Sequence, residues 1–157
     1  MEHLEIERKF LVASNTYKEQ ATSQIRIVQG FLNTHPDRTV RVRIKGNKGF
    51  LAVKGTSNET GTTRFEWETE ISINEATNLI DLCEGAILEK MRYEIPLGAH
   101  TFEVDEFFGE NKGLVMAEVE LNHEDEVFKK PDWLGKEVTG DIRYYNSQLS
   151  KNPFNTW

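Results

Sequence analysis

Acidic and basic side chains recur two residues apart along much of this chain. Glu5, Glu7 and Lys9 alternate with Leu4, Ile6 and Phe10, and Thr39, Arg41, Arg43 and Lys45 with Val40, Val42 and Ile44. Arg64, Glu66, Glu68 and Glu70 alternate with Phe65, Trp67 and Ile71, and Lys90, Arg92 and Glu94 with Met91, Tyr93 and Ile95. Glu103 and Asp105 oppose Phe102 and Val104, while Glu118 and Glu120 oppose Ala117, Val119 and Leu121. Side chains two apart on a strand share a face, so each set is a row of charge on one surface. Arginine forks suit bidentate contact with phosphate, and lysine supplies a point charge. Carboxylates do not bind phosphate directly; their partners are hard divalent cations.

A wet outer sheet face also carries charge. Two features argue for more than solvation here. Nearly every predicted strand is charged on one face, and the charges are sorted by sign. Arg41, Arg43 and Lys45 are purely basic, whereas Glu118 with Glu120, and Glu103 with Asp105, are purely acidic. A surface made for solubility intersperses signs, and like charges on one strand face repel. Glu66, Glu68 and Glu70 can equally serve by pairing with the neighbouring basic row.

The elements that carry these rows are strands. Period-two alternation predicts strands over roughly 3–12, 24–33, 39–45, 49–55, 63–73, 87–97, 100–108 and 114–122. Turn signals such as Gly46-Asn47, Asn58 to Gly61, Gly98 and Gly109 to Gly113 separate several of them. Helices are few: about 74–84, with Ala76, Leu79, Ile80 and Cys83 on one face, Ser72 or Asn74 as cap and Gly85 as stop. A second spans about 141–149, with Ile142, Tyr145 and Leu149 together and Asp141 as cap, and a short one about 14–22. No helix alternates with strands, so successive antiparallel pairing is expected. About eight strands can close into a barrel with a lumen. Period two alone does not say which face points inward. If the charged faces do, the lumen must hold water, metal ions and an anion. The outward apolar faces then need cover, and a homodimer contact would supply part of it.

Composition bounds the rest. The 157 residues, 38% hydrophobic and 29% charged, suit a single domain over 1–157. A net charge of −7 argues against broad nucleic-acid binding, and an anionic substrate would need a local basic site or metal ions. No apolar run approaches membrane-spanning length, and Met1-Glu2-His3-Leu4-Glu5 is no signal leader, so a cytoplasmic protein without membrane association is expected. The lone Cys83 excludes an internal disulfide and reads as a small core residue. The four histidines are scattered and read as surface or loop residues, and no phosphate loop or nucleophilic triad motif is present.

The run Glu5-Ile6-Glu7-Arg8-Lys9 is the E-x-E-x-K pattern of the CYTH family, also called triphosphate tunnel metalloenzymes. The remaining motifs follow in order: Gln29-Gly30-Phe31-Leu32 resembles Q-G-Y-L with Phe31 for Tyr, and Val40-Arg41-Val42-Arg43 the basic strand. Ala52-Val53-Lys54-Gly55, Arg64-Phe65-Glu66-Trp67-Glu68, Lys90-Met91-Arg92-Tyr93, Asp105 and Ala117-Glu118-Val119-Glu120-Leu121 resemble the later strands. Trp133-Leu134-Gly135-Lys136-Glu137-Val138-Thr139 and Tyr144-Tyr145-Asn146 resemble the C-terminus of short bacterial members. The resemblance implies a mainly β (α+β) fold: an eight-stranded antiparallel closed barrel, a tunnel with charges inside and a few flanking helices.

It also implies a metal-dependent hydrolase of a small triphosphate, inorganic tripolyphosphate first. Lys9, Arg41, Arg43, Lys54, Arg64, Lys90 and Arg92 are the expected phosphate ligands. Glu5, Glu7, Glu118, Glu120 and Asp105 are the expected metal ligands, for two Mg2+ or Mn2+ ions, with Glu66 and Glu68 secondary. Glu5, Glu7 and Lys9 are the expected catalytic residues. One ion would orient the phosphates; a second, on the order of 4 Å away, would lower the pKa of a water attacking the terminal phosphorus. The resemblance equally allows a class IV-type adenylate cyclase or a thiamine or nucleoside triphosphatase. A non-catalytic polyphosphate- or nucleotide-binding module is the alternative of another class, and a carrier of apolar ligands would need an apolar lumen.

Overall fold

The computed structural model describes residues 3–157. Nine strands follow one another: β1 (Leu4–Val12), β2 (Ser23–Asn33), β3 (Arg38–Lys45), β4 (Lys48–Gly55), β5 (Thr63–Ile71), β6 (Glu84–Leu97), β7 (His100–Phe107), β8 (Val115–Glu120) and β9 (Leu134–Glu137). Their order is β5-β4-β3-β2-β6-β7-β8-β1-β9, and a further β5–β1 pairing closes the first eight into a barrel. Every pairing is antiparallel. The eight expected strands are all present. The ninth was not anticipated: only four residues long and containing Gly135, it carries no alternation and forms by pairing with Phe10 and Val12.

Registers show which face points inward. Directly opposed residues of an antiparallel pair share a face. Arg64 opposes Glu5, Lys9 opposes Glu118, Glu118 opposes Glu103, and Arg92 opposes Asp105. The sorted charges therefore share one face, and the cavity they enclose makes it the inner one. Leu11 and Met116 oppose each other, Phe107 opposes Lys90, and Leu88 opposes Gln29, so these four also face inward. The rows thus turn apolar at the end where β1, β2, β4 and β7 finish. Leu88, Phe107 and Met116 cluster there with Phe31, Leu114, Val138, Tyr144 and Leu149, forming a floor.

A second core lies outside the wall. Phe10, Phe102, Val104, Ala117 and Val119, on the outward faces of β1, β7 and β8, are covered by Tyr17, Leu121, Phe128 and Trp133. Trp133 is fully buried, its rim shielded by Tyr17 and Phe102 in edge-on contacts. Each such side chain stabilises the fold by roughly 1.5–3 kcal/mol relative to exposure. Tyr17 belongs to α1 (Tyr17–Gln20), a single turn where 14–22 was expected.

The helix α2 (Ile73–Ile80) packs on β2, β3 and β4. Ser72 caps it in a reciprocal box with Glu75. It ends four residues short of expectation, so Cys83 and Gly85 lie beyond it. Gly85 belongs to β6 at φ +68°, where a Cβ would meet the Ser150 carbonyl. Cys83 is half-buried against Gly30, and burial raises its thiol pKa. The expected helix over 141–149 is two pieces, a 3-10 turn at Ile142–Tyr144 and α3 (Asn146–Leu149). Asp141 does cap the first, accepting from the Arg143 amide. Tyr145 interrupts the run with extended backbone, φ −67° and ψ 133°. Outward Leu4, Phe65 and Trp67 on β1 and β5 remain exposed. Among the described residues no helix is long and apolar enough to cross a membrane.

Candidate active site

The bore is a cavity of about 230 Å3 whose walls include Glu5, Glu7, Lys9, Arg41, Arg43, Lys54, Arg64, Lys90, Arg92, Glu118 and Glu120. All the phosphate and metal ligands expected from sequence converge there except Asp105, which faces the barrel axis but is buried beneath Lys90 and Arg92.

Asp105 is buried in β7 with both oxygens engaged. The Arg92 guanidinium donates to it from Nε at 2.8 Å and Nη2 at 2.9 Å, and Lys90 Nζ lies 2.7 Å from Oδ2. These cations outweigh burial and hold the Asp105 carboxyl well below the usual range. Burial lowers the Lys90 ammonium to about 8 despite Asp105. A cation at Asp105 would have to displace two buried ion pairs. Asp105 holds the Lys90 ammonium and the Arg92 guanidinium in place by these contacts.

On the β3–β5 side the cations are shared among carboxylates. Lys54 Nζ stands 3.3 Å from Glu5 and 3.0 Å from Glu66, and Arg64 Nε 3.5 Å from Glu5. Burial pushes the Glu5 carboxyl up, but Lys54 and Arg64 outweigh it and hold it at about 2. Arg41 and Arg43 both reach Glu68, at 3.0 and 3.1 Å. Glu66 and Glu68 thus do pair with the basic row. Among the described residues the buried Nε atoms of Arg41 and Arg43 have no hydrogen-bond partner, a cost an anion accepting there would remove. Burial, with Arg41 and Arg92 nearby, lowers Arg43 to about 10.

Across the bore, carboxylates are crowded and under-paired. Glu7 opposes Glu120 on β8, and Glu118 opposes Glu103 on β7. Among the described residues Glu7 has one ion-pair partner, Lys9, at 3.7 Å. Burial and the charges of Glu118 and Glu5 raise its pKa well above normal. Burial and Glu118 raise Glu103 although Arg92 stands 3.3 Å from it, and burial with Glu5 raises Glu120. Glu118 is lowered, since Lys9 and Arg92 outweigh its burial. Among the described residues no three such side chains form a ready-made metal cage. Magnesium rarely uses one: it keeps waters and takes one or two carboxylates together with substrate phosphates. The mutual repulsion here is what a divalent cation would relieve, so the donor set fits the expected ions.

Sequence reasoning gave no role to Tyr145, Asn146 and Ser147, which also line the bore. The Tyr145 ring lies 4.6 Å from Lys9 Nζ and 5.7 Å from the Arg64 guanidinium carbon, distances at which a cation is attracted to a ring face. Asn146 Oδ1 accepts from Lys90 Nζ at 3.1 Å and Gln29 Nε2 at 2.7 Å. The available signal was the Tyr-Tyr-Asn run itself; helical periodicity obscured it by assigning Tyr145 to an apolar face. Glu137, by contrast, is spent on Arg8 outside the bore.

Comparison with known proteins agrees with this geometry. An inorganic triphosphatase of Acetivibrio thermocellus is 52% identical over 151 residues, covering 96% of this chain and 95% of that protein. An inorganic triphosphatase of Nitrosomonas europaea is 38% identical over 151 residues, covering 93% and 96%. A solved structure of an inorganic triphosphatase superposes with a TM-score of 0.64 at 35% identity, covering 93% of each chain. Residues 3–151 match the CYTH domain, and with that match, those relatives and the charge-lined barrel, the chain belongs to the CYTH family.

Proposed function

We propose that this chain hydrolyses inorganic tripolyphosphate with the help of Mg2+ or Mn2+. One observation carries the reading: basic rows and under-paired carboxylates face each other across one bore. The names of the 52% and 38% identical relatives support the same activity. The main rival of another class, a module that only binds polyphosphate, would need the basic rows but not crowded carboxylates that repel one another.

Arg41, Arg43, Lys54 and Arg64 would hold the phosphate chain from one wall, and Lys9, Lys90 and Arg92 from the other. Phosphoryl transfer spreads charge over the transferred oxygens, so such positioning is most of the catalytic task. Glu7, Glu118 and Glu120 would hold the metal ions, two by this reading, with Glu5 at their edge. Bound there, the ions would neutralise phosphate charge and lower the pKa of a water. Glu7 and Glu5 would orient that water toward the terminal phosphorus, and Lys9 would meet the charge developing beside them. Asp105 would keep Lys90 and Arg92 aimed into the bore.

The test is product analysis with Mg2+ and then Mn2+. Orthophosphate and pyrophosphate from tripolyphosphate are expected. Cyclic AMP from ATP as main product would place the protein among the cyclases instead. Tight tripolyphosphate binding without turnover would leave only the module.

A further inference from the structure

A second cavity, about 250 Å3, adjoins the bore. It lies among the β2–β3 turn at Pro36, the β4–β5 loop at 56–61 and the C-terminal segment at 140–148. Its chemistry inverts that of the bore. Pro36, Gly61, Gly140 and Ile142 supply apolar walls, Ser57 and Asn58 neutral polar groups, and Glu59 a carboxylate. A bare phosphate chain has little to gain there; an uncharged organic group of similar bulk fits. Among the described residues Thr39, Arg64, Tyr145 and Ser147 line both bore and chamber, and Arg64 and Tyr145 also line a crevice of about 10 Å3 beside them.

Tyr145 is held in this position from several sides. Its extended backbone separates the 3-10 turn from α3. Its ring faces Lys9, and its hydroxyl donates to Ser57 Oγ at 3.4 Å. The segment is let in by two glycines: a Cβ on Gly61 would lie 2.3 Å from Gly140 Cα, and both residues have positive φ, +77° and +80°. The ring is neutral, rigid and fixed where the cationic bore meets the apolar chamber.

We propose that Tyr145 is a specificity-determining partition: its ring closes the bore against the chamber, so that unsubstituted phosphate chains are taken in preference to triphosphates carrying an organic group. This rests on the bore binding triphosphate. Of the other residues shared by bore and chamber, Arg64 is needed for either substrate and Thr39 and Ser147 are small; the ring is the bulk that decides whether a substituent on the terminal phosphate has space behind it.

The experiment compares kcat/KM for tripolyphosphate and for ATP in wild type, Tyr145→Phe and Tyr145→Ala. Phenylalanine keeps the ring and is expected to hold the ATP-to-tripolyphosphate ratio within about twofold of wild type. Alanine is expected to raise that ratio about tenfold or more, the range a shape change in an apolar pocket commands. A role limited to propping up Lys9 would lower both substrates in parallel, and an unchanged ratio overturns the partition. A ratio that falls overturns it too, since the ring would then be serving the organic group. If the alanine variant does not fold, Tyr145→Leu asks the same question with more packing retained. Wild-type turnover of tripolyphosphate judges the triphosphatase reading separately; a wild type inert toward it ends both.

Discussion

Two sets of carboxylates face the same barrel axis and are solvated in opposite ways. Asp105 sits at the centre of a closed network, its oxygens divided between Lys90 and Arg92. Glu7 and Glu120 face each other and are pushed toward protonation by burial and by neighbouring carboxylates. Both sets read the same in sequence, as acids alternating with apolar residues. The difference teaches that charge position does not distinguish scaffold from site; satisfaction does. A buried acid with its cations supplied by the chain supports structure, and one whose cation must come from outside is poised to bind.

The largest effect should come from breaking the satisfied set. Asp105→Asn keeps the shape of the side chain but leaves Lys90 and Arg92 buried with their shared partner discharged. Removing one partner of a buried pair costs about 3–5 kcal/mol. Urea unfolding should show that loss, and tripolyphosphate turnover should fall with it because both cations lose their aim. A stability within about 1 kcal/mol of wild type would erase the distinction between the two sets.

The opposite signature is expected of the under-paired set. Glu7→Gln should reduce turnover about 100-fold or more, while the metal-free protein loses no stability relative to wild type. The variant should also lose part of the stabilisation that Mg2+ with tripolyphosphate gives wild type, since ligands stabilise only the state that binds them. Thermal melts with and without both ligands measure this.

Acidity sharpens the contrast, because the two sets shift in opposite directions. The folded pKa of Glu7 is raised above its ordinary value of 4.5. The folded chain therefore binds the proton more tightly, and without metal its stability declines as pH rises from about 4.5 through that elevated value. Asp105 is lowered from 3.8, so its contribution is present above that value and is lost as pH falls below it. Urea melts between pH 3 and 8 in chelator should show Glu7→Gln gaining on wild type as pH rises above roughly 4.5. A constant offset across that range would mean Glu7 titrates normally.

The sequence carried the strands, their antiparallel order and the sorting of charge, because period two survives in every barrel strand. It did not carry the inward direction, which alternation leaves symmetric and the motif resemblance supplied. The apolar floor escaped because Leu11, Leu88, Phe107 and Met116 continue charged rows, so a residue-type pattern places them on the wrong face. Tyr145 escaped for a related reason. Its spacing from Ile142 and Leu149 fits a helix, yet Ile142 is exposed and Tyr145 turns to Lys9. What fixes it is the contact between Gly61 and Gly140, distant in sequence. Asp105 and Glu118 were indistinguishable because a cross-strand partner is set by register, which no single strand encodes.

The smallest effect should come from a pair as well formed as that of Asp105 but set at the surface. Arg8 grips Glu137 with Nε at 2.8 Å and Nη2 at 2.6 Å, while the two side chains remain 25% and 35% exposed. Water already solvates both ions there, so the pair replaces little that solvent does not offer, and exposed pairs stabilise by about 0–1 kcal/mol. Arg8 also lies over the Phe10 and Phe128 rings, contacts that survive loss of the carboxylate. Glu137→Gln should therefore shift the urea midpoint barely at all, a shift that shrinks further in salt, with turnover unchanged. If it instead matched the loss from Asp105→Asn, hydrogen-bond geometry rather than burial would govern the value of these pairs, and the contrast between the carboxylates of the bore would lose its physical basis.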